Sequence, residues 1–262
     1  MAPRDKHLVA RQFSRAAESY DRAAGIQQRA VSQLLNGLNN IQGHWLDIGC
    51  GTGVALPHLR EKGALQVTGV DLAEGMLAAA TSHTDSNTHL LLADADDLPL
   101  PDQSTDGLLS SLMLQWSESP LTTLTEWRRV LRPGARLAIA TLLPGTQREL
   151  QSAWQAIDNR PHVNEFTPRN ELLAALHQAG FGNIQDSQAC LTEYYDSLTD
   201  LLRGLKQIGA TNVNPGRRAG LGGRNAIRQL DAHYPATEQD GQLRYPLSYE
   251  ILWIYATAEM SQ

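Results

Sequence analysis

Leu46-Asp47-Ile48-Gly49-Cys50-Gly51-Thr52-Gly53 is the stretch that decides how this chain folds. An acidic residue closes an apolar run. Glycines then alternate at 49, 51 and 53, where the backbone must turn sharply and approach a ligand that a Cβ would strike. The next two apolar runs also end on aspartate, Asp71 and Asp94. A dinucleotide fold counted from Gly49 as G-x-G-x-x-G needs its third glycine at position 54, which is Val54. Asp47 would also repel a phosphate. It suits instead a ligand that carries an ammonium and a sulfonium, and Asp71 is placed to accept from both hydroxyls of a ribose.

Those features belong to S-adenosylmethionine, and D-x-G-x-G-x-G with both later aspartates in register resembles the class I methyltransferase signature. Helical and strand patterns alternate around it, which produces a parallel sheet with right-handed crossovers. Strands are expected near 44–48, 66–70, 88–93, 107–112 and 136–142. Helices are expected at 54–62, 74–82 and 121–131, the last stopped by Pro133-Gly134. Another begins at Thr167-Pro168, a cap followed by a first-turn proline, and ends at Gly180. Late strands at 184–192 and 249–257 supply an antiparallel edge. The expected fold is therefore α/β: a Rossmann-like, seven-stranded, mostly parallel sheet with an antiparallel edge strand and helices on both faces.

The chain has 262 residues, enough for one such domain with an addition. That addition is read at 195–245, between the last two strands, as a helical lid with patches at 198–205 and 225–230; it is too long for a plain loop. An amphipathic helical pair within 1–40 leads into the sheet. No apolar leader follows Met1, and the longest apolar run, 137–143, is far too short to span a bilayer. Cys50 and Cys190 are the two cysteines, which suits a reducing cytoplasm and offers no metal cluster, so no metal is expected.

Charge is uneven. The whole chain carries −6, yet 201–230 holds Arg203, Lys206, Arg217, Arg218, Arg224 and Arg228 with no Asp or Glu. Such a basic island is either a solvated helix face or a dock for an acidic partner. Nucleic acid is disfavoured as that partner: the island lacks interleaved aromatics, and Ser111-Leu112-Met113 stands where base amino-methyltransferases carry D/N-P-P-Y/F.

Further segments carry a more specific resemblance: Phe13 to Asp21 with Ile26-Gln27, Leu114-Gln115-Trp116, Arg129-Val130-Leu131-Arg132-Pro133-Gly134, Pro144-Gly145-Thr146, His162-Val163-Asn164-Glu165-Phe166, Ile208-Gly209-Ala210-Thr211 and Tyr245-Pro246-Leu247-Ser248-Tyr249. Occurring in this order over nearly the whole chain, they resemble the malonyl-acyl carrier protein O-methyltransferases of biotin synthesis. A departure is Ala135, where related enzymes often have a second glycine. The resemblance implies methylation of the free carboxylate of a malonyl thioester on acyl carrier protein. The cysteine usage, the apolar runs and the make-up of the basic island lead to the expectation of a cytoplasmic protein with no nucleic acid or membrane partner. A carboxylate is ionised at neutral pH and needs no general base.

On the class pattern, Asp47, Gly49, Gly51 and Gly53 face the methionyl part of the cofactor, Asp71 the ribose, Leu72 and Met76 the adenine face, and Asp94 and Ala95 the adenine edge. Leu112 and Trp116 follow strand four, at the sheet edge where ligands bind. Tyr20 and Gln27 resemble family residues that close over the cofactor; Tyr20 also reads as an ordinary packing aromatic, and Trp116 as core. His162 and Asn164 are candidates beside the helix start at Thr167-Pro168, which accounts for some of the local sequence by itself. Lys206 is a candidate anchor for the malonyl carboxylate. Tyr20, Trp116, His162 and Lys206 form the candidate catalytic set. Arg217, Arg218, Arg224 and Arg228 are the candidate carrier dock, extended by Arg128, Arg129 and Arg132. Two alternatives stay open: a methyltransferase for a quinone precursor or free dicarboxylic acid, and a non-catalytic cofactor-binding protein.

Overall fold

Five parallel strands form the frame: β1 (His44–Ile48), β2 (Gln66–Asp71), β3 (Thr88–Leu92), β4 (Thr105–Ser111) and β5 (Leu131–Leu142). The computed structural model describes residues 5–158, 160–209 and 223–260, with the side chains of residues 223 and 224 outside the description. The sheet continues through β6 (Phe181–Tyr195) and β8 (Gln242–Ala258), in the order β3-β2-β1-β4-β5-β8-β6. The antiparallel pairing expected at this end is present, since β8 runs antiparallel to both β5 and β6. A short β7 (Thr237–Gln239) pairs with the start of β8 through Asp240 and Gly241, both at positive φ. That Asp-Gly dipeptide is a hairpin signal.

The helices among the described residues are α1 (Lys6–Ala23), α2 (Gly25–Asn36), α3 (Ala55–Glu61), α4 (Glu74–Ala80), α5 (Pro120–Val130), α6 (Arg148–Gln155), α7 (Arg169–Gln178), α8 (Leu198–Gln207) and α9 (Gly223–His233). Caps fix several starts. The Asp5 carboxylate accepts from the Leu8 amide at 3.0 Å, and Ser119 precedes Pro120 at the first turn of α5. The strand expected from 136 begins at Leu131 instead, directly after α5. Leu131 pairs with Thr105, and a register shift spanning Pro133 and Gly134 restores pairing at Gly107 and Arg136. Sequence reading missed α6, because Gln147 ahead of it makes no side-chain cap; it is anchored by buried Leu150, Ala153 and Trp154.

Two cores flank the sheet. One gathers α2 and β8 around Leu34, Trp45 and Trp253, whose indole donates to the Ala30 carbonyl at 3.0 Å. The other packs α5 and α7 around Trp127, Leu137 and Phe181. Helices therefore cover both faces. No helix among the described residues is long and apolar enough to cross a membrane. Sheet order reverses between β1 and β4, and a ligand crevice is expected at the carboxyl ends of these strands.

Candidate functional site

The glycine turn after β1 holds itself in left-handed backbone, with φ of 73° at Gly49, 53° at Gly51 and 85° at Gly53. The three differ in what a side chain would meet. A Cβ on Gly49 would collide with Met113, and one on Gly53 would press on Ala80 and Leu56, so those two answer to internal packing. A Cβ on Gly51 would enter open space in the cleft. This is a cradle shaped for a ligand rather than for the protein.

Two carboxylates stand over the cradle. Asp71 closes β2, with Oδ2 accepting from the Gly51 amide at 2.9 Å and Oδ1 from the Ala73 amide at 2.8 Å. Burial raises its pKa, and those amides oppose the rise. Asp47 at the end of β1 is 3% exposed. Burial, aided by the charge of Asp71, pushes its pKa up to about 7. A cation placed between them relieves both costs. The site chemistry thus fits a ligand with a positive group and a diol, and rejects pyrophosphate. Burial also raises the Cys50 thiol well above its ordinary pKa, which leaves it unreactive.

The crevice is long. Leu72, Met76, Asp94, Ala95, Leu112 and Trp116 line its main part with Gly49, Gly51 and Asp71, while Asp47 and Gln27 line the adjoining part by the glycine turn. Tyr20 borders both parts and also a third compartment, so it sits at their junction. Burial, then Asp71 and Asp21, raise its pKa and keep it a neutral phenol. Phe13, two turns earlier on the same face of α1, meets Trp116 edge-on at 5.4 Å. Helix α1 is strapped across the crevice at both ends. Lys6 Nζ reaches Asp94 at 2.8 and 2.9 Å and Asp96 at 2.5 Å, and the Thr52 hydroxyl donates to Asp21 at 2.7 Å. Sequence reading missed Lys6, since nothing local marks a partner 88 residues away.

Other expectations part company with the crevice. His162 does not reach it: Nε2 is 2.7 Å from Asp158, and the ring stacks on Trp154 at 3.9 Å. Asn164 and Phe166, from the same segment, do line the third compartment. Lys206 lies exposed on α8 because Leu201, Leu205 and Ile208 hold the opposite face inward, so it lines none of these compartments; Ile208 does. Arg217 and Arg218 lie outside the described residues, as does the Arg224 side chain, while Arg228 is exposed on α9. The arginines of α5 and β5 are engaged by the fold. Arg129 binds Glu126 and Asp102, Arg132 binds Asp106, and Arg128 donates to the carbonyls of Gly180 and Glu259.

Residues 46–139 match the family model of the methyltransferase domain. The YcgJ protein of Bacillus subtilis shares the fold, with a TM-score of 0.64 at 18% identity over 89% of this chain and 100% of that one. The fold and the crevice together define a class I S-adenosylmethionine-dependent methyltransferase. Malonyl-[acyl-carrier protein] O-methyltransferase of Serratia marcescens is 39% identical over 95% of this chain and 96% of its own length. The bifunctional biotin biosynthesis protein BioHC of Cellvibrio japonicus is 38% identical over 95% of this chain, which spans 50% of that longer protein. The chain belongs to the malonyl-[acyl-carrier protein] O-methyltransferase family.

Proposed function

We propose that this enzyme methylates the free carboxylate of a malonyl group carried on acyl carrier protein, as a step of biotin synthesis. The observation that carries the proposal is the near full-length similarity to the Serratia marcescens enzyme of that name, together with a crevice suited to the cationic methyl donor. Bound S-adenosylmethionine supplies a methyl group on a positively charged sulfur. Asp47 and the backbone at Gly49 and Gly51 would hold its methionyl end, Asp71 its ribose, and Leu72, Met76, Asp94 and Ala95 its base. Gly53 shapes the turn from behind.

A malonyl carboxylate is already ionised at neutral pH, so no residue of the crevice has to remove a proton. Alignment and exclusion of water supply the rate. Tyr20, Phe13 and Trp116 are suited to that task, because they wall both the cofactor part and the third compartment. Helix α1 closes the crevice from above. The region between β6 and β8 is proposed as the lid, with its basic island, including Arg217, Arg218, Arg224 and Arg228, docking the acidic carrier. Masking the carboxylate as an ester gives the acyl chain an apolar end.

The test is release of S-adenosylhomocysteine on mixing enzyme and cofactor with malonyl carrier protein, with acetyl carrier protein and free malonate as controls. Release with the malonyl carrier alone is expected. Equal release with free malonate would favour a small-molecule methyltransferase instead.

A further inference from the structure

The third compartment lies beside the cofactor crevice, lined by Phe13 and Tyr20 of α1 and by Ile208 at the end of α8, and its described polar lining is neutral. Gln27, Gln115, Gln147, Asn164, Tyr20 and Tyr249 supply it, and its described lining includes no Lys, Arg, His, Asp or Glu. Among the described residues, a carboxylate entering here meets amides and phenols and no cation. That suits a nucleophile. A guanidinium or ammonium would hold the oxygen charge tightly and lower its reactivity, whereas neutral donors orient it at smaller cost.

Within this lining Tyr249 is the most firmly placed donor. It sits on β8, is 4% exposed, and reaches the compartment from its floor. Gln147 shares that lining, and an amide there is equipped to donate to the phenol oxygen, which leaves the phenol proton for the compartment. Burial raises the pKa of Tyr249 well above the tyrosine range, which keeps that proton in place. Gln147 is itself fixed by backbone. It adopts φ of 58°, and its amide donates at 2.6 Å to the carbonyl of Ser248, the residue before Tyr249. Left-handed backbone is unusual for a residue with a long side chain and marks sites where surrounding structure imposes it. Leu112, with φ of 53°, is the other lining residue so held, pinned by its amide to Ala140 and by Gln115 Nε2 to its carbonyl at 2.6 Å. Both fall on this one compartment.

We propose that Tyr249 receives the substrate carboxylate by donating its phenol proton, with Gln147 as its positioning residue, so that a neutral donor selects a carboxylate-bearing acyl group. The assignment rests on malonyl carrier protein being the substrate, and Tyr249 takes the place that the sequence suggested for Lys206.

Steady-state transfer to malonyl carrier protein is measured for wild type, Tyr249→Phe and Gln147→Gly, with acetyl carrier protein as a competitive inhibitor that lacks the carboxylate. Tyr249→Phe is expected to raise KM for the malonyl carrier at least about tenfold, the loss of a hydrogen bond to a charged group. The inhibition constant of the acetyl carrier and the affinity for S-adenosylmethionine stay unchanged. Gln147→Gly suits the left-handed backbone, removes the whole side chain with its amide, and is expected to shift the same ratio in the same direction by a smaller factor. An unchanged KM in Tyr249→Phe, or equal loss with malonyl and acetyl carriers, would overturn the assignment. Absence of transfer by wild type would overturn the substrate reading beneath it.

Discussion

Asp47 makes cofactor binding depend on pH in a direction the geometry fixes. In the unliganded protein, burial and the neighbouring Asp71 raise its pKa to about 7 from 3.8. A cationic ligand favours the ionised form, so each pH unit below about 7 costs about tenfold in affinity while Asp47 must first lose its proton. Between about pH 7 and about pH 5 the dissociation constant for S-adenosylmethionine should therefore rise by up to about a hundredfold. Calorimetry in buffers of different ionisation enthalpy measures both quantities, and close to one proton should leave per ligand bound in the acid part of the range. Asp47→Asn should flatten the slope. Stability of the unliganded protein should run the other way. Because the folded-state pKa lies above the unfolded one, protonated Asp47 favours the fold at low pH, and that contribution is lost as pH rises from about 4 through about 7. A dissociation constant flat from about pH 5 to about pH 7 with no proton release would refute the pairing of Asp47 with the ligand's cation.

Asp71→Ala should weaken S-adenosylmethionine by about 1.5–3 kcal/mol per charged hydrogen bond lost, and it also strips the Gly51 and Ala73 amides of their acceptor; calorimetry on the folded variant checks it, and an unchanged constant would remove Asp71 from the ribose site. His162→Gln should leave the pH–rate profile of single-turnover transfer unaltered, since His162 is bound to Asp158 and stacked on Trp154 away from the crevice. An ascending limb near neutral pH that this variant abolishes would make His162 a general base. Reversing Arg217 and Arg218 to Glu should raise KM for malonyl carrier protein severalfold, in a manner screened above about 0.15 M salt, while slow turnover of malonyl-CoA stays level. Equal damage to both substrates would place those arginines in folding or in the crevice.

The glycine turn and its two carboxylates were legible because their signals are local. Asp47, the alternating glycines and Asp71 each sit at a strand end within one βαβ unit, where backbone geometry permits few residues. The third compartment was less so. Asn164 enters it and His162 does not, although one residue separates them, and the contacts of His162 with Trp154 and Asp158 decide that. Lys206 looked placed for a carboxylate from its glycine-rich neighbourhood. The buried face of α8 turns it outward, which the spacing of Leu201, Leu205 and Ile208 encodes. Lys6 pairs with Asp94 and Asp96 across the chain, a contact with no local signature. The β7 hairpin did carry its sign, Asp240-Gly241, just beyond the basic island of 201–230.

Intact-protein mass spectrometry of malonyl carrier protein, after incubation with the enzyme and S-adenosylmethionine, addresses the substrate and the chemistry together. A gain equal to one methylene, confined to the malonyl form and lost with the acyl group when the thioester is cleaved, is the expected result. An unmodified malonyl carrier, in a reaction where the enzyme binds S-adenosylmethionine, would contradict it.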